Sequence, residues 1–544
     1  MSRELLMGDE ADLVAMLRPR DNVLVREIVA SGSTPFALAD NSGHPSESGP
    51  DEFGTVPSDG VVTFINQDGP FEHYERQVRW SGSGANGSRS SIEISQRVSF
   101  RLALPYWGWL YRVPAGIALR KGLRPGARPW WATPDRLSPQ QARIAAAATL
   151  LNMVGGMLYG LLTQVLTFVS ADLGDGSSGE QTTVLAVVRA GIIVTLIVSV
   201  LADRVGRRRM AIWAFCGSAG ITLLAALAPS MPFVAGSQFI ARNLAIAALL
   251  CADTIAIEEM PAGSRAMVAG IGTLAYGLGA GIVVMTLPLA DIGPWGWRLT
   301  FVVAGCSLPL ILHCRRHLPE SRRYQMMDLG RSGRHTEAVS RTSAPHLIDS
   351  SQRISPRRLL IVGSIFVLMN VFLAPASQLQ NDYMRTQVGF SGTTIAIFIL
   401  LTSTPGGIGV LIGGRVADVY GRRWAIIPGL SALAVFYTVF FSTTNALMWL
   451  SSLIASIIGG MAAPALAVIT AELFPTVRRA TIRGVVTGLA VGGSIIGLLV
   501  GGALIEAVGY ASAFAMLAVS PLLAVGAAFL LPRTHGRELE ETSA

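Results

Sequence analysis

Between residues 143 and 531 the sequence returns repeatedly to apolar stretches broken by short polar segments, and this pattern constrains the fold more than any motif does. A bilayer core of roughly 30 Å is crossed by about 20 helical residues, which is the length of these stretches. They fall at 143–169, 182–202, 209–229, 232–257, 266–290, 297–314, 358–377, 391–412, 423–442, 445–470, 481–505 and 510–531. Composition agrees: 51% of residues are hydrophobic, 14% are charged, and mean hydropathy is +0.48. The expectation is an all-α membrane protein with twelve transmembrane helices.

A net charge of +8 raises the question of nucleic acid, but the basic residues form no single patch. They occupy alternate loops. Arg204, Arg207, Arg208 and Arg209 follow the second stretch, Arg265 the fourth, and Arg322 to Arg358 the sixth; Arg422, Arg423, Arg478, Arg479 and Arg483 continue the alternation. Asp172, Asp175, Glu180, Asp291 and Asp382 are assigned to the opposite loops. By the positive-inside rule both termini are cytoplasmic, and the protein is expected to be a multi-pass protein of the plasma membrane with no nucleic-acid partner. Cys216, Cys251, Cys306 and Cys314 make no C-x-x-C pair, so no disulfide framework, metal or cofactor is expected. The acidic N-terminus lacks the apolar run of a signal peptide, which leaves the first membrane helix as the first insertion signal.

The second half repeats the first. Asp203 and Asp418 are 215 residues apart, as are Gly206 and Gly421. Glu258 pairs with Glu472, Pro261 with Pro475, Arg265 with Arg479, Gly270 with Gly484 and Thr273 with Thr487, each at 214. Trp297 and Phe301 map onto Tyr510 and Phe514 at 213. A duplicated six-helix unit explains one offset held across so many landmarks.

At these residues the chain resembles the major facilitator superfamily, and within it the sugar-porter, organic-ion and metabolite–proton symporter branches. The family's loop motif, G-x-x-x-D-R-x-G-R-R/K, is present twice, with Ser199 in place of the first Gly in one copy and Val419 after the Asp in the other. "PESRRY" from 319 and "LPRTHGRELEE" from 531 are similar to the family's motifs after the sixth and twelfth helices, with Arg322 and Arg533 as departures. The resemblance covers about residues 140–541. It implies two pseudo-symmetric six-helix bundles, at 138–318 and 358–531, joined by a cytoplasmic loop at 319–357 and followed by a tail at 532–544. It also implies a monomeric secondary transporter of a small organic solute, not an enzyme.

Alternating access needs a reversible latch between two rocking bundles. The resemblance assigns it to the repeated clusters. Asp203 and Asp418 would face helix ends and arginines across the gap, and Gly206 and Gly421 would permit the tight turn. Arg204, Arg207, Arg208, Arg265, Arg422, Arg423 and Arg479 would reach Glu258 and Glu472, with Glu320 and Arg323 contributing from the loop motif. Exposed ion pairs are worth only about 0 to 1 kcal/mol each, which suits a latch that opens. The competing reading makes these arginines topology determinants alone.

Substrate chemistry should come from polar groups at bilayer depth, where an ionisable side chain is costly. Arg242 lies about ten residues into the fourth stretch, near the midplane, and matches by position an arginine of sugar-porter relatives. Arg189 is a weaker candidate, with snorkelling to the outer surface the preferred reading. Asp253 is nearly three turns below Arg242, where gating and substrate contact are both open. The first stretch offers Asn152, Tyr159 and Gln164 but no carboxylate for proton coupling; the seventh offers Asn370, Gln378 and Gln380, each equally readable as an interhelical hydrogen bond.

Residues 1–137 are set apart as a cytoplasmic extension. Residues 31–60 and 81–91 have the composition of disordered linkers. Alternation at Ile92, Ile94, Val98, Phe100, Leu102 and Leu104 predicts a half-buried strand, with "FEHYERQVRW" as a pairing partner. The aromatic and basic segment 105–131 suits an interfacial helix, and the whole faintly resembles the end of a helix-grip domain.

The function expected is a secondary transporter, with protons as the candidate coupling ion. The unpaired Arg242 leans the substrate towards a small organic anion. The alternatives are a neutral sugar or polyol, a cation or drug, and a non-transporting sensor on the same scaffold.

Overall fold

The computed structural model describes residues 2–8, 13, 16–30, 59–82, 92–123, 129, 131–261, 264–319, 356–474 and 479–531. The chain divides into two compact units, one of Met1–Leu151, Ala252–Ala275 and His313–Arg322, the other of Asn152–Cys251, Tyr276–Leu312 and Arg323–Ala544.

In the first unit, strands β1 (Ser2–Gly8), β2 (Arg26–Val29), β3 (Asp59–Asp68), β4 (Phe71–Gly82) and β5 (Ile92–Leu102) form an antiparallel sheet in the order β1-β5-β4-β3-β2. The strand read from the alternation at 92–104 is β5, and it pairs with β4, putting Tyr74 opposite Phe100 and Trp80 opposite Ile94. Leu13, Val62, Phe64, Val78, Trp80 and Ile94 pack as one core cluster, and Val25, Phe71, Tyr74, Val98 and Leu119 as another. Sequence alternation gave no sign of the buried ion pair beside them. Arg76 donates to both oxygens of Glu27 at 2.5 and 2.8 Å, lies over the Phe64 ring, and reaches the carbonyls of Met16 and Arg18. Tyr74 donates its hydroxyl to the same carboxylate at 2.5 Å, and burial, then the Glu27 charge, raises the phenol above its ordinary range. Such a pair is tolerated because each carboxylate oxygen accepts two hydrogen bonds and each guanidinium nitrogen donates at least one. Of the linker runs read at 31–60 and 81–91, residues 31–58 and 83–91 lie outside the described residues, while 59–60 and 81–82 are ordered ends of β3 and β4, held by pairing between them.

Helix α1 (Gly108–Lys121) follows β5, buries Ala115 and Leu119, and leads to helix α2 (Pro139–Leu173). Contacts within the extension and from it to helices of the same unit hold this region. Arg136 donates to the Asn22 carbonyl and pairs with Asp21, Trp107 Nε1 donates to the Ala146 carbonyl at 3.0 Å, and the Tyr106 ring packs edge-on against His313 and His317. The partial burial of Asp21 works to raise its carboxyl, but the hydrogen bonds and charges of Arg136 and Arg26 outweigh it and hold it below its ordinary value.

The membrane helices continue as α3 (Ser178–Ala190), α4 (Ile192–Val205), α5 (Arg207–Ala225), α6 (Met231–Glu259), α7 (Arg265–Thr286), α8 (Trp297–Gly305) and α9 (Leu308–Cys314). The second half supplies α10 (Pro356–Gln378), α11 (Gln380–Thr386), α12 (Gly392–Ser403), α13 (Gly406–Tyr420), α14 (Arg423–Phe440), α15 (Ala446–Gly460), α16 (Ala462–Leu473), α17 (Arg479–Leu517) and α18 (Val519–Phe529). Ser177, Ser391 and Asn445 cap α3, α12 and α15 through their side-chain oxygens. Among the described residues ten stretches are long and apolar enough to cross a membrane. The difference from twelve arises in two places: α5, in the 209–229 region, is not among the ten, and the last two runs form one stretch, Gly484–Phe529, turned at Gly509 with φ 78°.

Candidate functional site

Arg242 is 2% exposed on α6 and lays its guanidinium 3.8 Å from the centroid of the Tyr159 ring of α2. Its Nη1 and Nη2 have no hydrogen-bond partner among the described residues. The Tyr276 ring lies 6.1 Å from that of Tyr159, held where Gly156 lets the two helices touch: a Cβ there would sit 2.0 Å from the Tyr276 carbonyl oxygen. Arg189 is half-buried, with a buried, partnerless Nε, and is within coulombic reach of Arg242 and Tyr159. One guanidinium and two phenols thus meet here, with a second guanidinium within electrostatic range, a grouping suited to an anion with planar oxygens. Tyr276 had no signal in the sequence beyond its place in a glycine-rich run.

A second buried charge was missed. Asp382, assigned to a loop, sits on α11 within the continuous span Pro356–Thr386 and is 1% exposed. Its carboxylate accepts from Gln181 Nε2 at 2.8 Å, Ser178 Oγ at 2.8 Å and the Tyr510 hydroxyl. Tyr510 stands in an aromatic cluster, its ring 5.1 Å from Tyr383 and 5.9 Å from Phe441, which stacks on Phe514 at 3.6 Å. One residue before, Asn381 donates to Gln164 Oε1 and to its carbonyl, both at 2.9 Å. The repeat gives only a partial parallel: Trp297, the counterpart of Tyr510, donates Nε1 to Asp172 at 2.9 Å, but the offset of 213 carries Asp172 onto Arg385 and not onto Asp382.

Two further contacts at this end join the halves reciprocally. The backbone N–H of Gly179, in the first turn of α3, donates to Glu506 Oε1 at 2.9 Å. Those of Gly392 and Thr393, in the first turn of α12, donate to Asp291 at 2.8 and 2.9 Å. Gly179 and Gly392 are 213 residues apart, and Asp291 and Glu506 are 215 apart, so each half presents a helix N-terminus to the other half's carboxylate. Free N–H groups and the positive end of the helix dipole both favour this arrangement.

The remaining candidates are distributed as follows. Gln378 Oε1 and Gln380 Nε2 are buried without partners among the described residues. Asn370 instead donates to the Phe366 carbonyl one turn back, and Asn152 is buried with a partner of its own. Asp253 is half-buried on α6, eleven residues or about 16 Å along the axis from Arg242. In the repeated clusters Gly206 and Gly421 take positive φ of 111° and 101° and turn the chain between helices, a backbone cheap only for glycine. Arg204 and Arg265 are exposed, with Arg265 Nε on the Met260 carbonyl; Arg207, Arg208, Glu258, Arg422 and Arg423 are half-buried. Glu320 and Arg323 lie outside the described residues, as do the side chains of Asp203, Asp418, Glu472 and Arg479.

Comparison with known proteins adds an independent line. The sequence profile of the Major Facilitator Superfamily matches residues 359–544. The chain is 27% identical to the cis,cis-muconate transport protein of Acinetobacter baylyi over 52% of this chain and 68% of that one. It is 26% identical to the sialic acid transporter NanX of Escherichia coli over 56% of this chain and 72% of that one. The inward-open xylose transporter XylE of Escherichia coli superimposes with a TM-score of 0.60 over 74% of this chain and 99% of its own, at 16% identity, which shows a shared fold. Its duplicated helix clusters, its succession of apolar helices, the profile match over residues 359–544 and the shared fold make the chain similar to the membrane transporters of the Major Facilitator Superfamily.

Proposed function

We propose that this multi-pass secondary transporter carries a small organic anion, a carboxylate in particular, by alternating access. The observation that carries the reading is Arg242, a guanidinium buried at bilayer depth whose two terminal nitrogens have no partner among the described residues. A buried unpaired charge is costly, and a substrate carboxylate that takes the planar fork offsets that cost on binding. The two relatives compared above are named for carboxylic acids, muconic and sialic, which supports the same class. Protons are the candidate coupling ion, and the basic loops support a reading with both termini in the cytoplasm of a plasma-membrane protein.

In this proposal the end of the bundle away from the arginine clusters is the outer gate. Asp382, Glu506 and Asp291 close it through Gln181, Ser178, Tyr510 and the two helix N-termini. The repeated clusters at the other end latch in the opposite state.

A neutral sugar is the second reading. It is favoured by Gln378 Oε1 and Gln380 Nε2, buried and without a partner among the described residues, which suit hydroxyl groups. Uptake of radiolabelled carboxylates, sugars and organic cations into vesicles bearing the purified protein, at two pH values, separates the two. Saturable uptake of a sugar with none of any carboxylate rejects the anion.

A further inference from the structure

Helix α1 presents two unlike faces. Ala115 and Leu119 are buried, with Gly116 against the Phe100 ring of β5. Trp109, Leu110, Val113 and Ile117 are 72%, 51%, 66% and 52% exposed. At 100° per residue these four lie on one stripe about 100° wide, turned away from the sheet. Four large apolar side chains in a row on a helix exceed the scattered exposure of an ordinary surface. Arg112, Arg120 and Lys121 are exposed beside the stripe and at the end of the helix.

The depth at which this helix starts is set by Trp107. Helix α2 has 35 residues, about 52 Å, so a core of roughly 30 Å leaves about seven residues beyond it at each end. Ala146, the eighth residue of α2, therefore falls at the boundary between hydrocarbon and headgroups. Trp107 donates its indole N–H to the Ala146 carbonyl, at the level where tryptophan concentrates in membrane proteins. Gly108 opens α1 from that point, and Tyr106, held at φ 71° against His313 and His317, fixes the entry.

We propose that α1 lies in the headgroup layer as a second membrane contact, with Trp109, Leu110, Val113 and Ile117 among the acyl chains and Arg112, Arg120 and Lys121 on anionic phospholipid. Continuity with the lipid boundary at Ala146 and the charge of the three basic side chains select this occupant. The sheet then rides on the membrane surface through α1.

The test places an environment-sensitive fluorophore at Val113→Cys, in protein whose four native cysteines are replaced by Ser. The labelled protein is reconstituted in vesicles of phosphatidylglycerol and phosphatidylcholine, or of phosphatidylcholine alone, with brominated acyl chains as quenchers. Blue-shifted emission quenched by bromolipid is expected in the anionic vesicles. Replacing Arg112, Arg120 and Lys121 by Ala should weaken this contact about fivefold per charge, the equivalent of about 1 kcal/mol each. Unmodified protein crosslinked with photoactivatable phosphatidylglycerol, with adducts mapped by mass spectrometry to residues 108–121, reads the same contact without substitution. A water-like, unquenched probe and no adduct overturn the proposal. Blue-shifted emission that bromolipid does not quench means a protein surface covers the stripe and overturns it as well; equal quenching in phosphatidylcholine overturns the anionic preference.

Discussion

Arg242 and Asp382 are both almost wholly buried charges on membrane helices, yet their surroundings are opposite. Asp382 accepts three hydrogen bonds from protein donors, whereas Arg242 has an aromatic face and two terminal nitrogens with no partner among the described residues. A fully satisfied buried ion holds structure together, and its partners break only when the parts move. One left incomplete is a site for something that arrives. The two residues therefore separate the binding function from the gating function in the proposal above.

The largest effect should come from Arg242→Gln, which removes the charge but keeps the stem. Carboxylate uptake in proteoliposomes is expected to fall at least about a hundredfold, the loss of a charge-assisted bidentate pair. Arg242→Lys should instead raise KM about tenfold, since an ammonium lacks the planar fork. Robust transport by the Gln protein would collapse the contrast with Asp382.

Asp382→Asn should act differently, lowering turnover about tenfold with little change in binding. An amide cannot accept from all three donors, and leaving a buried donor unmade costs about 1–3 kcal/mol. Thiol labelling of a cysteine placed at Thr183 or Ala503, run with and without substrate, reads how far the outer end opens. Loss of substrate binding in the Asn protein would move Asp382 from the gate into the site.

The reciprocal glycines sharpen the gate half of the comparison. A Cβ at Gly392 would sit 2.5 Å from the backbone oxygen of Leu287, whereas one at Gly179 meets the movable end of Glu506 at 2.0 Å. Gly392→Ala should therefore shift outer labelling more than Gly179→Ala, although the two positions are counterparts in the repeat. Equal shifts would mean that both contacts yield alike. The smallest effect is expected from deleting residues 1–137: uptake should persist within about threefold of the full chain, because among the described residues the hydrogen bonds of Asp382 and the ring contact of Arg242 involve residues outside 1–137. Intact insertion with complete loss of uptake would tie the extension to the pathway.

Much of this was legible in the sequence, for identifiable reasons. Hydropathy marks membrane helices because every backbone group must bond within its own helix, and the same demand makes an Arg at residue 242 conspicuous. The offset of 213 to 215 exposed the duplication. Asp382 escaped because hydropathy falls across Gln378, Gln380 and Asn381, and only the partners brought by α3 and α17 make that polar segment affordable as helix. Arg76 and Glu27 escaped for a related reason: alternation places a residue on a face but does not supply the opposite charge 49 residues away.

By itself, then, the sequence determined the solvent, the rough length of most apolar runs, the duplication and an arginine within the fourth apolar run, because these depend on local composition and on spacing along the chain. Only the tertiary structure decided which charges are satisfied: it sets Asp382 among Gln181, Ser178 and Tyr510, puts Tyr159 beside Arg242, and turns each half's carboxylate to the other's helix N-terminus. Hydrogen bonds act over about 3 Å, and residues two hundred positions apart come within that distance only when the helices that carry them have packed.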